Sequence, residues 1–165
     1  MAERAQTAAV LAYVGLGANL GNAAATVRAA ANELAQAHGI GQLQLSSLYE
    51  TTPIDSSGPN YVNAVAQIHT RLEPLALLQT LQAIEAAHGR TRPYHNAPRT
   101  LDLDLLWYDG RSLNEPTLVV PHPRMHERAF VLQPLQELAG DLMLAQGSLT
   151  ALLRHCGDQG IHRLD

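Results

Sequence analysis

Asp102 and Asp104 lie in the stretch Pro98-Arg99-Thr100-Leu101-Asp102-Leu103-Asp104-Leu105-Leu106. It reads as a strand with leucines on one face and two carboxylates on the other. Residues i and i+2 of a strand share a face, roughly 6.5–7 Å apart at Cα. Two carboxylates so spaced can converge on a hard divalent cation or on a close pair of cations. Alone, such an acid pair suits the wet face of any amphipathic strand. Its neighbours give it chemical direction: Arg90, Arg92 and Arg99 precede it, and His122, Arg124 and Arg128 follow. Metal-binding acids flanked by phosphate-binding cations point to phosphoryl transfer.

No lysine occurs anywhere; all 11 basic residues are arginines. A genome rich in Arg and Ala codons explains this for the chain as a whole, but the chemical consequence stands. A P-loop lysine and a Schiff-base lysine are both excluded. Phosphates must be held by guanidinium forks, histidine, backbone N–H groups and metal.

The elements that must position these groups follow from pattern and punctuation. The apolar run Ala8–Leu16 reads as a strand entering the turn Gly15-Leu-Gly17-Ala-Asn-Leu-Gly21. Asn22 can cap a helix over Ala23–Ala37 that closes at Gly39. Leu43–Tyr49 is expected as strand two, Thr51–Asn60 as a long loop, and Tyr61–Thr70 as strand three. In strand three, Val62, Ala64, Ala66 and Ile68 face one way and Tyr61, Asn63, Val65, Gln67 and His69 the other. A helix from Pro74 to Gly89, the basic loop Gly89–Arg99 and strand four at Leu101–Tyr108 come next, before a turn at Asp109-Gly110. A short strand Leu118–Val120, a helix Glu127–Leu138, then a small strand and a helix Ser148–His155 complete the reading.

The β-α-β-β-α-β order implies an α+β ferredoxin-like plait with long catalytic loops and a small C-terminal α/β extension. With 165 residues and 46% hydrophobic content, residues 1–165 are expected as one domain, residues 1–10 being a disordered or extended N-terminus. Net charge −4 speaks against a nucleic-acid or membrane-surface role. The lone Cys156 and the absence of a signal-like leader point to a cytoplasmic protein. Long loops beside the Asp102/Asp104 strand are natural places for lids or binding segments.

Several motifs together resemble one family. They are Tyr13-Val-Gly-Leu-Gly17-Ala-Asn19-Leu-Gly21, Ser46-Ser-Leu-Tyr-Glu-Thr51-Thr-Pro53, Tyr61-Val-Asn63-Ala, Gly89-Arg90-Thr-Arg92, Pro98-Arg99-Thr-Leu-Asp102-Leu-Asp104 and Val120-Pro121-His122-Pro-Arg-Met-His-Glu-Arg128-Ala-Phe130. In order and spacing, from about Tyr13 to Gly140, the chain resembles the 6-hydroxymethyl-7,8-dihydropterin pyrophosphokinases. The resemblance implies transfer of diphosphate from ATP to the pterin hydroxymethyl group, with release of AMP, in folate biosynthesis.

That resemblance also implies roles for individual residues. Asp102 and Asp104 would hold two Mg2+ ions. Arg90 and Arg92 would be the catalytic loop cations that reach the ATP phosphates, joined in ATP binding by Gln82, Arg99, His122 and Arg128. Gly17, Thr51, Ile54, Tyr61, Asn63 and Phe130 would form the pterin site. ATP and the pterin are the implied partners, with no nucleic acid or membrane, and the implied state is a monomer. Arg92-Pro-Tyr-His-Asn-Ala97-Pro-Arg99 departs from the family pattern: it is shorter than in some members, lacks their tryptophan, and has Ala97 in place of a glycine.

Other readings compete for the same residues. Phe130 also suits a core aromatic, Tyr61 a strand-edge cover, His122 a plain loop histidine. The eight histidines offer no zinc spacing on a shared helix face, because Pro123 stands between His122 and His126. Gly15-x-Gly17-x-x-x-Gly21 misses the dinucleotide fingerprint by one residue. A regulatory ligand-binding module and a two-metal nucleotidyl transferase or cyclase remain as rivals on the same plait. Mg-ATP binding discriminates against the first, and release of AMP instead of pyrophosphate against the second.

Overall fold

The β-α-β-β-α-β core forms as the pattern implies. The computed structural model describes residues 8–19, 21–51, 60–89, 101–157 and 159–164. Its elements are β1 (Val10–Ala18), α1 (Ala23–Ala35), β2 (Ile40–Leu45), β3 (Tyr49–Thr51), β4 (Tyr61–Thr70), α2 (Pro74–Gly89) and β5 (Asp102–Tyr108). The hairpin β6 (Leu113–Glu115) and β7 (Leu118–Val120) follows, then α3 (Ala129–Ala139), the short β8 (Met143–Leu144) and β9 (Gly147–Ser148), α4 (Leu149–Cys156) and β10 (Ile161–Arg163). Among the described residues, no helix is long and apolar enough to cross a membrane.

The main sheet runs β10-β3-β4-β1-β5, with β2 also paired to β4, and every pairing is antiparallel. This is the ferredoxin-like arrangement: β4 lies between β1 and the β2/β3 segment, and β5 lies on the other side of β1. On one face Val14, Leu16, Ile68, Leu103 and Leu105 pack against Val27 and Leu34 of α1 and Leu77 and Leu81 of α2. On the other face Tyr13, Val65 and Leu106 meet Val131, Leu132 and Leu135 of α3 and Leu149 and Leu152 of α4. Complete burial of each large aliphatic side chain stabilises the fold by roughly 1.5–3 kcal/mol. The central strands are therefore apolar on both faces wherever a helix covers them.

Local chemistry sets the element ends. The Asn22 side chain accepts from the Ala25 N–H at 3.1 Å and caps α1. The expected single strand Leu43–Tyr49 is instead two strands, because Ser46 takes both partners of one residue. Its N–H donates to the Val65 carbonyl at 2.9 Å, while its hydroxyl accepts from the Val65 N–H at 2.9 Å. The chain leaves the ladder there and rejoins it at β3. A bulge in β5 leaves Leu106 as the extra residue between the pairs Val14–Leu105 and Tyr13–Trp107.

Three further expectations are corrected. The helix expected from Glu127 begins at Ala129, because a 3-10 turn at Met125–Glu127 precedes it and Arg128 is extended (φ −116°, ψ 105°). β1 lies two residues later than the apolar run suggests, since pairing with β4 extends it through Gly17 to Ala18. The C-terminal segment supplies an additional strand, β10, which joins the main sheet through β3 in the register Ile161–Thr51 and Arg163–Tyr49.

Candidate active site

The side of the sheet under α3 is filled by Leu11 and Tyr13 near one end of β1 and is emptied by Gly15 and Gly17 toward the other. A glycine in a central strand forgoes packing and marks a close approach or a space. Gly15, Gly17, Thr51, Asn63, Asp102, Asp104, Arg128 and Phe130 line a cavity of about 360 Å³ at that place. Tyr61, 41% exposed, lies at its rim.

Sheet register explains the convergence. Gly17 pairs with Asn63 of β4 on one side and with Asp102 of β5 on the other, and Gly15 pairs with Asp104. With strands about 4.8 Å apart, the Asn63 amide and the Asp102 carboxylate start about 10 Å apart across a floor without side chains. Both acids face away from the Leu101, Leu103 and Leu105 core, as the alternation implies. Asn63 is buried, and its amide donates to Thr51 Oγ1 over a long 3.5 Å.

The opposite wall is the start of α3. The Arg128 guanidinium carbon lies 5.6 Å from the Phe130 ring centroid, a cation–π distance. The ring packs beside the second core and also lines the cavity, so its core reading and its site reading are compatible.

A second cleft, of about 290 Å³, opens on the other flank of β5. Leu103, Asp104, Pro116, Thr117, Leu118 and His122 are among its lining residues. Asp104 thus borders both spaces. The His122 backbone N–H donates to the Leu106 carbonyl at 2.8 Å, and its Nδ1 accepts from the Arg124 N–H at 3.1 Å. Burial lowers the His122 pKa, opposed by the nearby Asp104 charge, with Arg128 and Arg124 lowering it further.

Of the residues named from sequence, Gly17, Thr51, Tyr61, Asn63, Phe130, Arg128, Asp102 and Asp104 meet at the first cavity, and His122 joins Asp104 at the second. Gln82 lies exposed on α2 and lines neither. Arg90, Arg92, Arg99 and Ile54 lie outside the described residues. Gly15, Leu106 and Val131 of the first cavity were not singled out; for Gly15, its position two residues before Gly17 on one strand face was the available signal. Thr117 and Leu118 of the β6–β7 hairpin carried none, because nothing local shows that the hairpin folds back beside Asp104.

Residues 13–140 match the family model for 7,8-dihydro-6-hydroxymethylpterin-pyrophosphokinase (HPPK). The chain belongs to this family. A Pseudomonas aeruginosa 2-amino-4-hydroxy-6-hydroxymethyldihydropteridine pyrophosphokinase is 44% identical over 154 residues, covering 92% of this chain and 95% of that one. The Haemophilus influenzae protein of the same name is 39% identical over 158 residues, covering 94% and 99%. An HPPK-DHPS crystal structure in complex with substrates aligns with TM-score 0.76 over 96% of this chain at 13% identity. A wild-type Plasmodium falciparum HPPK-DHPS structure aligns with TM-score 0.69 over 92% at 13% identity. This chain spans 47% and 42% of those two chains, and at such identity they show that the HPPK fold is shared.

Proposed function

We propose that this HPPK-family enzyme transfers the terminal diphosphate of ATP to the hydroxymethyl group of 6-hydroxymethyl-7,8-dihydropterin in folate biosynthesis. The observation that carries the reading is Asp104, which borders both a glycine-floored cavity and the cleft holding His122. Two substrates seated in the two spaces would meet at the acid pair.

The first cavity suits a flat, hydrogen-bonding bicycle. Asn63 offers an amide donor and acceptor to the pyrimidine edge, beside Thr51. Phe130 offers a ring face, Tyr61 aromatic surface at the rim, and Gly17 the room for close approach. In this reading Ile54 completes the pterin site.

The nucleotide occupies the second cleft, with His122 beside it and Arg128 directed toward the phosphates from the first cavity. Arg90, Arg92 and Arg99 supply further guanidinium contacts, and Gln82 an outer contact. Asp102 and Asp104 fit a pair of Mg2+ ions, since magnesium accepts one or two carboxylates and completes its shell with water and phosphate oxygens. When bound, the metal neutralises charge on the phosphates. The substrate hydroxyl oxygen attacks the β-phosphorus, the Pβ–O bond to the α-phosphate breaks, the hydroxyl proton is lost and AMP departs. Catalysis of such a step is positioning and charge neutralisation, for which arginines and carboxylates suffice without lysine. The chain acts as a single-domain monomer in the cytoplasm.

Product analysis tests the reading. With Mg-ATP and the pterin, chromatography should show AMP and the pterin diphosphate in equal amounts. ADP as main product, or pyrophosphate released without pterin, would replace it with attack at the γ- or α-phosphorus.

A further inference from the structure

The start of α3 has no cap of its own. Arg128 occupies the cap position without a side-chain hydrogen bond to the helix; its carbonyl accepts from the Val131 and Leu132 N–H groups, and the Ala129 N–H finds its partner elsewhere. That partner comes from the C-terminal segment. Gln159 Oε1 accepts from the Ala129 N–H at 2.9 Å, and Gln159 Nε2 donates to the Glu127 carbonyl at 3.2 Å. A single amide thus clamps the backbone on both sides of Arg128, the extended residue between the 3-10 turn and the helix.

The same segment holds the other side of the cavity. β10 pairs with β3, placing Ile161 opposite Thr51, and the Leu164 N–H donates to the Leu48 carbonyl at 2.8 Å. Arg163 lies 3.7 Å from Glu137 of α3, whose carboxylate accepts from the Ser47 N–H at 2.7 Å. Residues 159–164 therefore tie α3, which carries Phe130 and is preceded by Arg128, to β3, which carries Thr51.

We infer that Gln159 is a positioning residue: its amide caps α3 from a distance and fixes the aim of Arg128 and Phe130 into the cavity. The inference rests on the pterin reading of that cavity for its functional effect, though not for its structural one. Loss of a helix cap corresponds to about fivefold in an equilibrium constant. The second cleft is lined by no residue of α3, so the clamp reaches it only through Arg128.

Gln159→Ala, Gln159→Glu and Gln136→Ala test it. Gln136 donates to Thr150 at 2.9 Å from the third turn of α3 and serves as the control. Hydrogen exchange, read without ligand, should be faster at Ala129 in Gln159→Ala and unchanged there in Gln136→Ala. The Kd for 6-hydroxymethyl-7,8-dihydropterin, with a non-hydrolysable ATP analogue present, should rise about fivefold in Gln159→Ala. The Kd for the analogue alone should rise by less than that for the pterin, since the clamp reaches the nucleotide only through Arg128, and Gln136→Ala should leave both Kd values within about twofold. Gln159→Glu keeps the acceptor for the Ala129 N–H, which suits a helix N-terminus, but loses the donor to the Glu127 carbonyl, so it should recover only part of the exchange protection at Ala129. Unchanged exchange at Ala129, an unchanged pterin Kd, or effects as large in Gln136→Ala would overturn the inference. A wild-type protein that binds no pterin would sink the pterin reading instead, and the exchange result would still decide the clamp.

Discussion

Gly17 of β1 faces Asn63 of β4 so closely that a Cβ at position 17 would lie 2.7 Å from Asn63 Oδ1. The glycine is thus a condition for the orientation of the amide. The obstructing atom is the end of a side chain, which can rotate, so Gly17→Ala should fold. The displaced amide no longer meets the ligand, and pterin affinity should fall at least about tenfold, or ~1.4 kcal/mol. Calorimetric titration with pterin, alongside a melting curve, checks both parts; unchanged affinity would show that the amide does not read the ligand.

Asn63→Leu approaches the same contact chemically. It leaves donors and acceptors on the pterin facing hydrocarbon, at roughly 1–3 kcal/mol for each group left unpaired. Binding of an ATP analogue alone should change little, because Asn63 does not line the second cleft. Equal loss of both ligands would mark Asn63 as a support of the fold.

Asp102→Ala and Asp104→Ala should leave the fold intact, since the core on β5 is built by Leu103 and Leu105 on the opposite face. The rate should fall more than about a hundredfold, equivalent to ~3 kcal/mol of transition-state stabilisation. Chelation of magnesium should produce a comparable loss in the wild-type enzyme. Steady-state rates at saturating magnesium decide: activity within threefold of wild type removes the acids from the metal site.

The alkaline limb of stability should depend on Tyr49. Burial, then the hydrogen bond and charge of Glu137, push its pKa from the usual 10.0 up to about 12, with Arg163 opposing. The unfolded chain therefore loses this proton first as pH rises. Stability from the neutral phenol is fully present below about pH 10 and declines toward pH 12, by on the order of 2 kcal/mol. Tyr49→Phe should flatten that decline. Urea midpoints at pH 9 and pH 11.5 compare the slopes, and equal slopes would assign the effect to Tyr13 and Tyr108, which burial also raises.

How much of this was legible in the residues depends on the range of the interaction involved. Alternation along Leu101–Leu105 sets the two acids on one face and the leucines on the other, because a strand's period of two is a property of its own backbone. The cap at Asn22, the helix from Pro74 and the absence of lysine are equally local, and the motif spacing was enough to name the family. The split of the expected second strand was not readable, since it turns on Ser46 meeting Val65, 19 residues away.

The site itself belongs to tertiary structure. Asn63, Gly17 and Asp102 come from three separate strands, and only the antiparallel register across β4, β1 and β5 sets them in one row. A slip of one residue would turn each to the other face. In the same way, the β6–β7 hairpin becomes a wall of the second cleft, and Gln159 becomes the cap of a helix beginning 30 residues before it. Residue types and local periods determined which groups could do chemistry and which face each would take. Long-range pairing decided which of them meet, because contacts between distant segments depend on how the whole core packs.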